Sequence, residues 1–122
     1  MAIQHSQQQS IAQSHLLDEM TKIIVEVAAP EKVILFGSQA RGTAGPYSDY
    51  DLMVIVAEPF NERRSRRDEV AKISWPLSAL GFPTDILIFS VEEAEYWSQT
   101  LNHVVACALR EGKVLYARSS PS

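Results

Sequence analysis

The 122-residue chain predicts an α/β (α+β) domain, a small mixed sheet flanked by helices. Three short runs rich in Val, Ile and Leu, over 33–36, 52–56 and 86–89, are bounded by Gly, Ser, Asp and Pro and read as central strands. Between them apolar residues recur at helical spacing, which places helical crossovers beside the sheet. The length suits one domain with one core, and no internal repeat or linker divides it.

Residues 1–10 carry an excess of Gln and Ser with few apolar side chains and are expected to form a flexible extension, helical only in part. From Ile11, the positions Leu17, Met20, Ile24 and Val27 predict a helix to about residue 28, stopped by Pro30, with its apolar stripe on the sheet. Strand one covers 33–36, and a short helical turn begins near Ser38. The Gly- and Pro-containing stretch 43–48 is a loop with freedom to move over a ligand, leading into strand two. The next helix is expected near Asn61, its N-cap, and carries Val70, Ile73, Leu77 and Leu80 inward until Gly81. After the turn made by Gly81, Phe82 and Pro83, strand three opens with Asp85. Ser90 caps a short helix over 91–97, with Glu93 in the capping-box position. A last helix over 101–110 ends at Gly112, and 114–116 is either a fourth strand or an extended packing tail. The globular domain thus spans 11–116, and 117–122 is expected to fray.

The chemistry concentrates at strand ends. Gly37 turns the backbone sharply and lets a ligand approach, while the Ser38 hydroxyl and the amides behind it can donate to phosphate oxygens. Asp49 and Asp51 flank Tyr50, so in an extended chain both carboxylates point to one side and Tyr50 to the other, where it packs. Close carboxylates repel unless a cation neutralises them, and an oxygen-only set favours Mg²⁺ or Mn²⁺ over zinc. With Asp85 as a third acid, the site could hold two divalent ions roughly 4 Å apart and direct a hydroxyl at the α-phosphorus of a nucleoside triphosphate. The plainer alternative is an acidic turn before a strand, with Asp85 an ordinary edge residue.

Gly37-Ser38, ten intervening residues, Asp49-x-Asp51, and Asp85 on a later strand together resemble the minimal nucleotidyltransferases of the polymerase-beta-like superfamily. The resemblance extends to Arg41-Gly42 and to Ser48 before the first acid. It implies that Gly37 and Ser38 contact the triphosphate, with Ser48 as a further nucleotide-binding residue; Arg41, just past the Gly-Ser turn, is either another triphosphate contact or the partner of a local acid. Asp49 and Asp51 would bind both metals, and Asp85 the ion that activates the acceptor hydroxyl. A chain this short, closing on Arg110-Glu111-Gly112-Lys113-Val114-Leu115-Tyr116, looks like the antitoxin of a toxin–antitoxin pair. That resemblance implies a HEPN-type ribonuclease toxin as partner, in an oligomer or hetero-complex, with AMP transferred from ATP to a toxin tyrosine. The alternatives are an antitoxin that masks its partner without catalysis, and transfer to a small hydroxyl compound.

The formal net charge of −4 argues against a dedicated nucleic-acid binder. One cysteine, Cys107, excludes an internal disulfide and reads as a buried small hydrophobe. Neither a signal-peptide pattern nor a membrane-length apolar run is present, so a cytoplasmic location is expected. Arg63, Arg64, Arg66 and Arg67 form the one basic run, either a solvated helix face with an Arg64 to Asp68 contact or a partner patch. His5, His15 and His103 are too scattered to make a zinc site. Tyr96 and Trp97 are read as core packing before partner binding.

Overall fold

The computed structural model describes residues 2–45 and 48–118, with side chains of the first helix described from residue 12 onward. In chain order the elements are α1 (Ala2–Ala28), β1 (Lys32–Phe36), α2 (Gly37–Arg41), β2 (Tyr50–Val56), α3 (Arg66–Leu77) continued by a 3-10 turn (Ser78–Leu80), β3 (Thr84–Ser90), α4 (Val91–Ser98), α5 (Val104–Glu111) and β4 (Lys113–Ala117). The strands form one sheet in the order β3-β2-β1-β4. β1 runs antiparallel to β2 and β4, whereas β2 and β3 are parallel, so the sheet is mixed as expected. The parallel pair requires a crossover, which α3 supplies.

Alternation along β2 sorts two cores. Leu52, Val54 and Val56 face Met20 and Ile24 of α1 and Ile73 and Leu77 of α3, while Met53 and Ile55 join Ile34 beneath Ala94 of α4 and Val105 and Ala108 of α5. Burial on both sides explains why this strand reads as an unbroken apolar run rather than an alternating one. No helix among the described residues is long and apolar enough to cross a membrane.

Several boundaries differ from the sequence-based expectation. α1 begins at Ala2 instead of Ile11, because Ala, Gln and Ser tolerate a helix and nothing breaks it before Pro30. α3 is capped by Ser65, whose side chain accepts from the Asp68 amide at 3.0 Å. Asn61 caps a turn of its own, accepting from the amides of Arg63 at 2.8 Å and Arg64 at 3.0 Å. α5 starts at Val104, where the His103 ring accepts from the Val105 amide at 3.1 Å. The segment after Gly112 is a true strand, paired with β1 across a bulge. Movement of the loop 43–48 concerns Pro46 and Tyr47, which lie outside the described residues, as do 119–122 of the expected tail.

The basic run is divided in use. Arg64 approaches Glu69 at 4.0 Å and donates to the Glu58 carbonyl at 2.8 Å, so its partner is not Asp68. Arg66 lies between the Phe60 and Phe89 rings and donates to both Glu93 oxygens, at 3.1 and 2.5 Å, and to the Ile88 carbonyl. Glu93 simultaneously closes the capping box on Ser90, so one guanidinium ties α3 to the β3–α4 junction. The bonds from Arg66, and secondarily those from Ser90, hold the Glu93 carboxyl below its usual range despite partial burial.

Because the folded state holds Glu93 ionised, this pair stabilises above the unfolded carboxyl value of 4.5 and the contribution is lost as pH falls below it. Arg66→Met is expected to cost about 1 kcal/mol at pH 7, the value for a charge-assisted pair discounted for its partial exposure. Urea denaturation across pH 3–7 checks this: the gap to wild type narrows on the acid side, leaving the part due to the lost Ile88 bond and ring contacts.

Candidate active site

β1 ends where β2 begins, and the register Phe36↔Asp51 places the Gly37 turn directly over the second acid. Gly37 has φ +73°, the left-handed region that side chains resist. A Cβ there would lie 3.1 Å from the Asp51 Cγ and would strike the Asp51 Oδ2. Both backbone angle and space therefore demand glycine. The turn opens α2, which presents Ser38 and Arg41 and closes at left-handed Gly42, whose amide, like that of Thr43, returns to the Ser38 carbonyl.

The parallel pairing of β2 with β3 sets Asp51 opposite Asp85. Paired residues of neighbouring strands share a face, here that of Met53, Ile55, Leu87 and Phe89. Tyr50, 8% exposed, lies in the opposite core, and its amide donates to the Pro83 carbonyl at 3.0 Å. Asp49 precedes the strand and is exposed. Burial first, then the negative charges of Asp85 and Asp49, push the Asp51 carboxyl above its ordinary value, with Arg41 pulling the other way. Three of the other predicted residues, Arg41, Asp49 and Asp85, thus act electrostatically on Asp51.

The acids share a region without closing on a common point: among the described residues, no three His, Cys, Asp or Glu side chains are gathered tightly enough to hold a metal ion. Their donor chemistry nonetheless fits a hard divalent cation. All candidate ligands are carboxylate oxygens, and the mutual repulsion registered at Asp51 is what a cation relieves.

Ser48 has a local task, its hydroxyl accepting from the Gly45 amide at 2.9 Å, which closes the loop before Asp49. Sequence reading missed Gln39. Its side-chain amide donates to the Ser48 carbonyl at 3.3 Å and its oxygen accepts from Gln13 of α1 at 2.8 Å, so α1, α2 and the approach to Asp49 are laced together. The sequence signal was only a polar residue inside Gly37-Ser38-Gln39-Ala40-Arg41. Cys107 is half-buried rather than buried; with Arg41, Ala40 and Glu111 it lines a cleft of about 240 Å³ behind the Gly37 turn. His15 lies on α1 and His103 stacks on Trp97 at 4.2 Å, so neither joins the acids.

Two substitutions separate the roles of this geometry. Since the folded state raises the Asp51 value, ionisation costs stability; the loss begins as pH rises through 3.8 and is complete above the folded value. Asp51→Asn is therefore expected to raise the melting temperature of the metal-free protein at pH 7, with the gain vanishing below pH 3.8. Gly37→Ala is expected to lower stability by more than about 1 kcal/mol from its left-handed backbone alone, read by denaturant midpoint.

A family model for the nucleotidyltransferase domain matches residues 17–107. A provisionally assigned protein adenylyltransferase of Methanocaldococcus jannaschii, MJ1305, is 34% identical over 88 residues, covering 72% of this chain. The chain spans 59% of that relative's length. A toxin–antitoxin crystal structure with AMP-PNP aligns with TM-score 0.52 at 20% identity, over 84% of this chain and 74% of that one. A Shewanella oneidensis tri-AMPylated HEPN toxin in complex with MNT antitoxin aligns with TM-score 0.50 at 18% identity, over 87% and 73%. These two structures share the fold. With the matched region running from α1 into α5 and spanning the Gly37 turn and all three acids, the chain belongs to the nucleotidyltransferase-domain family.

Proposed function

We propose that this chain is a metal-dependent adenylyltransferase and antitoxin that transfers AMP from ATP to a tyrosine hydroxyl of a cognate HEPN-type toxin. The observation that carries the reading is the Asp51–Asp85 pairing under a turn that only glycine can make. Family membership, the kinship with a provisionally assigned protein adenylyltransferase, and the fold shared with an AMP-PNP-bound toxin–antitoxin complex support it.

In this reading the Gly37 backbone leaves room for the triphosphate, the Ser38 hydroxyl donates to it, and Arg41 offsets its charge. Ser48 closes the loop beside the nucleotide. Asp49, Asp51 and Asp85 would hold the two divalent cations, Mg²⁺ or Mn²⁺, and Asp85 would receive the acceptor's proton. Bound cations supply charge neutralisation at the transferring phosphorus and lower the pKa of the attacking hydroxyl. The new bond joins the tyrosine oxygen to the α-phosphorus as the bond to pyrophosphate breaks. The carboxylates' share is orientation and proton acceptance. A cytoplasmic location follows from such a partner.

A second reading, an antitoxin that masks its toxin without catalysis, is favoured by one observation: the acids do not close into a ligand set among the described residues. Incubation with ATP, Mg²⁺ and the product of the neighbouring gene, followed by intact-mass spectrometry, separates the two. The expected result is a toxin heavier by one adenylyl group. With Asp49→Asn or Asp51→Asn the transfer rate is expected to fall at least about a hundredfold while circular dichroism stays native, since a transition-state contribution is removed and side-chain volume barely changes. Full inhibition of the toxin without ATP, at unchanged mass, would establish masking instead.

A further inference from the structure

An apolar groove of about 530 Å³ runs between α1 and the turn into β3 on the face opposite the acids. Leu16, Leu80, Tyr50 and Phe82 line it, with Gln13 and Glu19 on its α1 wall. Phe82 is 48% exposed and meets Tyr50 edge-on at 6.2 Å. An open, mostly apolar groove of this volume falls in the size range of binding sites.

Two features join this groove to the chemistry. Its floor, Tyr50, is the residue between Asp49 and Asp51, and Phe82 leads through Pro83 and Thr84 into Asp85. Its wall residue Gln13 bonds Gln39, which holds the Ser48 carbonyl, so groove and catalytic loop share one hydrogen-bonded frame. The groove lining carries one carboxylate, Glu19, on the same wall as His15, and Asp49 and Asp51 flank its residue Tyr50 in the sequence, on a chain of net charge −4.

We infer that this groove docks the acceptor protein through an amphipathic segment whose apolar face enters between α1 and Phe82 and whose flanks carry Lys or Arg. The inference rests on the proposed transfer to a protein hydroxyl and deepens it by naming the surface that holds the acceptor. Apolar anchors bind the segment, and acidic flanks select and orient it. Docked there, the acceptor is held beside the strand ends that carry the three acids.

Two variants test this without touching the acids. Ala12→Arg fills the groove from an exposed position on α1, with a residue of good helix propensity and the charge that a basic segment would oppose. Phe82→Ser removes the half-exposed anchor. AMP-PNP affinity by calorimetry is expected to match wild type for both. The KM for the protein encoded by the neighbouring gene is expected to rise about tenfold or more, with kcat at saturation nearly unchanged, because uniform binding is what is lost. Wild-type KM in both variants overturns the inference. If wild type binds that protein but transfers nothing, the transfer reading fails and the groove is judged by binding: complex affinity weakened about tenfold in both variants supports it, and unchanged affinity overturns it. If wild type does not bind that protein at all, the inference is overturned as well.

Discussion

The strand register of the sheet is the constraint on which everything else depends. β1 finishes, and β2 and β3 begin, at the same end of the sheet, so Phe36, Asp51 and Asp85 lie side by side across three strands. Because side chains alternate with period two, a slip of one residue in β2 would bury Asp51 beside Met20 and Ile24 and turn Tyr50 toward Asp85. The apolar residues on both faces of β2 resist that slip. The cores thus aim the acids: Leu52 and Val54 specify one face, Met53 and Ile55 the other, and Asp51 takes the orientation left to it.

The parts of the fold that depend on periodicity were legible in the chain, and those that depend on competition or on distant contacts were not. The strands around Ile34, Val54 and Ile88 announced themselves because buried β-branched runs have few other uses. The direction of Tyr50 away from the acids likewise followed from alternation. The start of α3 did not, since Asn61 and Ser65 are both good caps, and the outcome turned on Asn61 having a tighter local turn to serve. His103 was invisible as a cap because its ring nitrogen accepts only when the ring is suitably held, here by stacking on Trp97. Arg66 looked like one cation in a solvated run; its bridge to Glu93 needs knowledge that α3 passes over the β3–α4 junction.

At the site, Gly37, Asp51 and Asp85 were legible by type and spacing, and the structure places them in adjoining register positions. Gln39 was not, because its meaning lies in Gln13, twenty-six positions earlier in the chain. A polar side chain that links elements remote in sequence leaves no periodic trace. Electrostatic crowding at Asp51 was foreseeable from paired carboxylates, but the larger cause, burial, depends on what the sheet places around it.

Asp85 stands on β3, the last strand on its side of the sheet, and both it and Asp49 are open to solvent. A reaction centre at such a margin is reachable by a hydroxyl projecting from a large body, which an enclosed pocket would turn away. Openness also leaves water free to compete for the activated phosphorus. Under the proposed reading, dryness arrives with the acceptor: the protein that receives the nucleotide also roofs the site, and hydrolysis is suppressed while it is seated.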